Sequence, residues 1–289
     1  MASIGTVSSV WRYPAKSMMG DEFPVLPVAE AGIVGDRGWA VRDETRGGIR
    51  GAKKIGGLMR LHARYVDEPQ IGLPPPPIEI RAPDGETIRS DDADASERLS
   101  KCLDHEVTLW PLQPATDLDH YRRGPPDTDD FDAELRQIFG REQGEPLPGF
   151  EGLPLDVLIE YESPPGSYFD ASPMLLVTDR SLATLARLAP GSDFDVRRFR
   201  PNAVIATDGV EGEFPEQDWI GRRLRLGEVE LEVTASCPRC VMVTRDFADL
   251  PADRQVLRTI VRDAGQNLGV YADVVTPGSL AVQAPVTLE

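Results

Sequence analysis

Two cysteines in the run Cys237-Pro-Arg-Cys240 carry the richest chemistry in this chain. The thiolate is the nucleophilic and metal-binding form of cysteine, and a cation such as Arg239 between the two favours it. A pair at this spacing can bind one metal, exchange as a dithiol, or pack as an inert buried pair. Context separates these outcomes. A redox pair of the thioredoxin kind opens a helix, whereas Val241-Met-Val-Thr244 is β-branched and predicts a strand. Upstream, Arg223 to Thr234 alternates charged and apolar residues on either side of Gly227, the pattern of a hairpin. The pair is expected between strands, which leaves dithiol exchange a minor role. Cys102-Leu-Asp-His105 repeats the spacing and keeps open a structural Cys3His zinc site using every cysteine of the chain. Against it, Cys102 falls in a helical stretch, where a small core role is expected.

Other chemistries find little support. His62, His105 and His120 have no triad spacing, and there is no Gly-x-Ser-x-Gly elbow. The glycines of residues 47–57 do not fit a dinucleotide fingerprint, so neither flavin nor nicotinamide is expected. Three cysteines cannot ligate a four-thiolate iron–sulfur cluster while also serving another metal. With 31 basic and 48 acidic residues the net charge is −17, which argues against nucleic acid or an anionic membrane as partner. No apolar run approaches the ~20 residues needed to cross a bilayer, and the N-terminus has no basic and apolar leader pattern. A reducing cytoplasmic setting is the expectation.

Short strands are expected to position these residues. Residues 4–11 and 23–28 read as strands, and Val34 to Arg42 as a turn entering another. Pro74 to Pro77 is a stiff connector, and a helix is expected over residues 95–103. Residues 113–165 are rich in Pro, Gly, Asp and Glu, the composition of a linker or lid. Beyond them, Leu175 to Thr178 reads as a strand and Ser181 to Leu188 as a helix capped by Thr178 or Asp179. After Pro251 a further helix places Val256, Leu257, Ile260 and Val261 on one face.

Taken in order, Tyr13-Pro-Ala-Lys-Ser17, Gly35-Asp-Arg37, Asp170-Ala-Ser-Pro173, Arg198-Phe-Arg-Pro-Asn202, Cys237-Pro-Arg-Cys240 and Leu268-Gly-Val-Tyr271 resemble the MOSC superfamily across nearly the whole chain. The pattern is nearest the two-part branch that includes the amidoxime reducing components. The resemblance implies a mainly β (α+β) fold: an N-terminal β-rich domain over residues 1–125, a linker or lid over 126–166, and a MOSC β-barrel over 167–289.

It also implies a molybdenum cofactor, a dithiolene-bearing pterin with a terminal phosphate, bound between the halves. On this likeness Cys240 supplies the metal thiolate, with Cys237 as its neighbour and Arg239 among the cofactor contacts. Lys16, Ser17 and Arg37 match the phosphate-side positions, Arg200 and Asn202 those beside the pterin, and Asp170 and Ser172 a segment near the metal. Asp170 is then the expected proton relay. Ala171 departs from the hydroxyl residue usual in that segment, and the Gly-Asp often found near the C-terminus is absent. The implied activity is molybdenum-dependent reduction of N-hydroxylated small molecules, with electrons from a separate donor protein. Sulfur transfer through a Cys240 persulfide, or carriage of the cofactor, is the alternative.

Overall fold

A computed structural model describes residues 2–289. Seven strands close a barrel, in the order Ala2–Arg12, Ala203–Thr207, Met174–Thr178, Asn267–Thr276, Val229–Pro238, Arg223–Leu226, Pro285–Leu288 and back to the first. Neighbours are antiparallel except Met174–Thr178 and Ala203–Thr207. A parallel pair needs a crossover, and here it runs through the helix Asp179–Leu188. Alternating residues face inward, as in Val229, Leu231 and Val233, and join Val7, Val10, Leu176, Ile205 and Val270 in one apolar core. The first strand is the closing stave: Gly5 pairs with Thr207 on one side and Val286 on the other. Gly5 has φ +146°, and a β-carbon there would lie 2.0 Å from the Ala206 carbonyl oxygen, so only glycine fits the seam.

The second body holds two three-stranded sheets, Val107–Pro111 with Trp39–Asp43 and Ile49–Arg50, and His62–Tyr65 with Ile78–Arg81 and Thr87–Arg89. Helix Ala95–Leu103 covers them with Leu99. Their apolar core, including Trp39, Val41, Leu58, Ile80 and Ile88, also takes in Phe247 and Leu250 from the far end of the chain. The two bodies share both a stave and a core. This is the expected mainly β architecture, a β-rich N-terminal part packed on a barrel.

The predicted helices form where the pattern placed them. Thr178 caps Asp179–Leu188 by accepting from the Ser181 N–H, and Arg254–Asp263 buries Val256, Leu257 and Ile260. Two expectations fail. Val241–Thr244 is a 3-10 turn rather than a strand: the Cys240 carbonyl accepts from the Val243 N–H, and Val243 packs with Val256 and Leu257. Burial against that helix outweighs β propensity. Cys102 is exposed, on the outer side of its helix.

Residues 126–166 carry helices Phe131–Phe139 and Leu155–Glu160. Ion pairs fasten the segment to both bodies, Lys54 to Asp127 and Glu134 at 2.6 Å each, and Arg258 to Glu145. Among the described residues no helix is long and apolar enough to cross a membrane.

Candidate functional site

Three segments meet around Asp36: one leaving the first barrel strand, one entering the strand Ala203–Thr207, and the turn before Trp39. Tyr13 to Ser17 follow the first strand, and their backbone pairs with the Gly35 to Trp39 turn: Arg37 N–H donates to the Tyr13 carbonyl at 2.6 Å and Lys16 N–H to the Trp39 carbonyl at 2.8 Å. Asp36, buried, accepts from Tyr13 N–H at 2.8 Å, from Asn202 Nδ2 at 2.9 Å, and from Arg37. Asn202 also accepts the Leu175 N–H on Oδ1 at 3.0 Å, so its amide is engaged at both ends.

Arg200 and Arg37 flank the Tyr13 ring at 4.3 and 5.2 Å from its centroid. Arg200 donates to the Met18 and Ala15 carbonyls and Arg37 to the Arg200 carbonyl. Burial, then the nearby Arg37 charge, pull the Arg200 guanidinium down to about 10. Ser17, Arg37 and Arg200 all hold positive φ, at 65°, 52° and 54°. Non-glycine residues in this region are uncommon and are concentrated at functional sites. Ser17 Oγ accepts the Ala52 N–H at 2.9 Å, which joins this corner to the second body.

Lys16 is 2% exposed, and its ammonium has four acceptors: Asp170 at 2.7 Å, the Tyr168 carbonyl at 2.9 Å, Ser163 Oγ at 3.1 Å and the Phe169 carbonyl at 3.3 Å. An ammonium has three donors, so it is saturated. Desolvation works against the Asp170 carboxylate, but Lys16, Lys53 and Arg37 hold its pKa far below the usual range. The next residue toward the N-terminus from Ser163, Glu162, is buried between Lys53 and Arg123, each at 2.6 Å. Ser172 lies half-buried on the bend entering Met174–Thr178.

The cysteine segment closes the site from the end of Val229–Pro238. Cys237 is buried against the Tyr271 side chain, and Cys240 is half-buried. Burial raises both thiols despite Arg239, and for Cys240 the Met242 backbone N–H is the main opposing influence. The free thiols are therefore protonated at neutral pH; Arg239 alone does not make the thiolate that its place in the motif leads one to expect. Arg239 donates Nε to the Leu268 carbonyl at 2.8 Å and Nη1 to the Phe199 carbonyl at 3.0 Å. Its Nη2 is buried and has no partner. Gly269, at φ +78°, lies against it: a β-carbon there would sit 2.4 Å from the Leu176 carbonyl oxygen and 3.4 Å from Arg239 Nη2.

The structure thus brings Lys16, Arg37, Arg200, Asp170, Arg239, Cys237 and Cys240 within electrostatic reach of one another, with Ser17 and Asn202 bonded into the same loops. Six cations, counting Lys53 and Arg123, face three carboxylates, Asp36, Asp170 and Glu162, in a chain whose net charge is −17. Sequence reasoning missed Asp36, Tyr13, Lys53 and Glu162. Asp36 and Tyr13 lie inside segments already singled out, whereas no local signal marks Lys53 or Glu162, which meet across more than a hundred residues. Among the described residues no group of three or more histidine, cysteine or acidic side chains is arranged to hold a metal ion.

Comparison with known proteins agrees with this architecture. The model of the MOSC N-terminal beta barrel domain matches residues 4–113 and that of the MOSC domain residues 164–287. Mitochondrial amidoxime reducing component 2 of Rattus norvegicus is 27% identical over 307 residues, covering 99% of this chain and 84% of that protein. The Homo sapiens protein of the same name is 27% identical over 320 residues, with the same coverage. Among solved structures, the YUAD protein from Bacillus subtilis has 10% identity and a TM-score of 0.44, covering 99% of this chain and 95% of its own. With both domain models matched in order, and relatives aligned along nearly its whole length, the chain belongs to the MOSC-domain superfamily in its two-part form.

Proposed function

We propose that this protein is a molybdenum-cofactor-dependent oxidoreductase that reduces N-hydroxylated small molecules, with Cys240 as the protein ligand to the metal. The observation that carries the reading is the cation cluster beside a half-buried thiol in an otherwise strongly acidic chain. The residues present fit an anionic pterin cofactor: Arg239 Nη2 is a buried donor without a partner, Arg200 and Arg37 crowd one another, and a thiol is a soft ligand that metal binding deprotonates. The relatives named as amidoxime reducing components point to the substrate class. When bound, the cofactor supplies the two-electron chemistry that removes oxygen from an N–O bond.

The chain's own work is to bind, orient and manage charge. Arg37, Arg200 and Arg239 hold the anion, with Ser17, Ser172 and Asn202 lining the loops that present them. Lys16 already has a full set of acceptors, so it grips a phosphate only by releasing one of them, and Asp170 is the acceptor that faces solvent, at 56% exposure. Freed from Lys16, Asp170 becomes a stronger base, suited to the proton relay that its position beside the thiols allows. No iron–sulfur, flavin or nicotinamide group is assigned to this chain, so a separate electron-donor protein completes the cycle. Residues 126–166 border the site through Glu162 and Ser163 and act as its lid.

The test is metal and pterin analysis of purified protein, followed by chemical reduction and exposure to benzamidoxime, hydroxylamine or a sulfoxide. Stoichiometric molybdenum, reoxidised by an N-hydroxylated compound, is the expected result. Full loading with no reoxidation by any of the three would overturn the reductase reading in favour of cofactor carriage. Absence of molybdenum together with labile sulfur on Cys240 would favour sulfur transfer.

A further inference from the structure

Glu216 is fully buried and has no cation among its hydrogen-bond partners. One carboxyl oxygen accepts from Thr178 Oγ1 at 2.7 Å and from Ser181 Oγ at 2.5 Å, and the other from the Gly269 N–H at 3.3 Å. The adjacent Gln217 takes the other side of the same residue: its Nε2 donates to the Gly269 carbonyl at 3.1 Å, while its Oε1 accepts from Ser236 Oγ at 2.7 Å. Consecutive side chains therefore hold both polar groups of Gly269, and one of them also holds the residue before Cys237.

The backbone ladder beside these contacts is irregular. The pairing of Val229–Pro238 with Asn267–Thr276 shifts register between Val233 and Ala235 and again between Ser236 and Pro238. A bulge leaves a residue unpaired and disrupts the ladder locally, and here it does so beside the two thiols. Gly269 is also the pivot of the site on this side: Leu268 offers its carbonyl to Arg239, and Tyr271 contacts Cys237. A buried carboxyl without a cation is costly, and a side chain that only filled space would be apolar.

We propose that Glu216 and Gln217 are positioning residues for the cysteine site, a clamp that sets the Leu268 carbonyl against Arg239 and Tyr271 against Cys237. Its functional meaning rests on the reading of the Cys237–Cys240 segment as the working centre, but the clamp itself can be tested in cofactor-free protein. The readout is the rate at which each cysteine reacts with an aromatic disulfide, followed by mass spectrometry. Cys102, exposed and remote in sequence, is the internal reference.

Gln217→Leu and Glu216→Leu are expected to speed Cys237 and Cys240 roughly tenfold, the effect of losing about one buried hydrogen bond on local opening. Cys102 should be unchanged, and Glu216→Gln, which keeps the shape and an oxygen to accept the Gly269 N–H while its amide NH2 donates to the Thr178 and Ser181 hydroxyl oxygens in place of accepting from them, should react nearly as wild type. If Glu216→Leu does not fold, Gln217→Leu, at a half-buried position, decides the question. Unchanged Cys237 and Cys240 rates in folded Gln217→Leu would overturn the proposal. So would equal acceleration of all three cysteines, which is general loosening, or a Glu216→Gln variant as fast as the leucine one. A failure to find molybdenum would instead sink the proposed function while leaving these rates as measured.

Discussion

Cys240 and Cys237 share four residues of chain but not one environment. Cys237 is 2% exposed and in contact with Tyr271, whereas Cys240 opens a short turn and is only partly covered. On the proposed reading Cys240→Ser removes a soft ligand and little volume, so metal content and activity should vanish with the fold retained; Cys237→Ser should keep the metal and lose only part of the activity. Metal analysis and circular dichroism of both variants check this. Equal, complete loss in both, with zinc bound in the wild type, would point to a structural site. Arg37→Ala should lower pterin content, since a charge-assisted hydrogen bond is worth about 1.5–3 kcal/mol. Lys16→Ala acts differently, because it leaves Asp170, Ser163 and two carbonyls without their shared donor. It should lower thermal stability as well as pterin content, and full occupancy in the double variant would remove both residues from the site.

At the scale of elements, Glu162 joins the connecting segment to the site. Burial pushes its carboxyl up, but Lys53, Arg123 and Lys16 outweigh burial and leave its pKa below the ordinary value. A depressed carboxylate contributes stability that is complete above its unfolded pKa, about 4.3, and is lost as pH falls through the folded value. Glu162→Gln should therefore destabilise by about 1–3 kcal/mol at pH 7, and its difference from wild type should shrink below about pH 4. Chemical denaturation across that range measures it, and a gap that widened in acid would show the pair is not stabilising. The elements differ in how far the sequence reveals them. Thr178 and the apolar face of Arg254–Asp263 are local signals, and the structure follows them. Val241–Thr244 obeys a distant partner instead, so its β-branched residues mislead. The candidate site divides in the same way: the order of its motifs is visible, while Lys53 meeting Glu162 is a product of the fold.

At the scale of the whole molecule, the barrel cannot close on the C-terminal half alone. Its seam strand, Ala2–Arg12, lies between Ala203–Thr207 and Pro285–Leu288, and carries Val7 and Val10 into the core. A fragment of residues 164–289 would have two bare edges and an open core, conditions that favour aggregation. Ala2 pairs directly with Leu288, so the missing stave can be restored in sequence. Joining residue 289 to residue 2 by a short glycine-containing turn makes a hairpin of the usual kind, and ending at residue 33 keeps Leu26, Val28 and Ile33, which pack in the same core. That rearranged fragment should unfold cooperatively and bind little hydrophobic dye, whereas residues 164–289 alone should bind dye strongly and show no cooperative transition. Introducing Gly5→Ala into the rearranged fragment should abolish the gain, because a β-carbon there meets the Ala206 carbonyl oxygen. If the simple fragment unfolded as cooperatively as the rearranged one, the first strand would be an accessory to the barrel and the two bodies would be separable units.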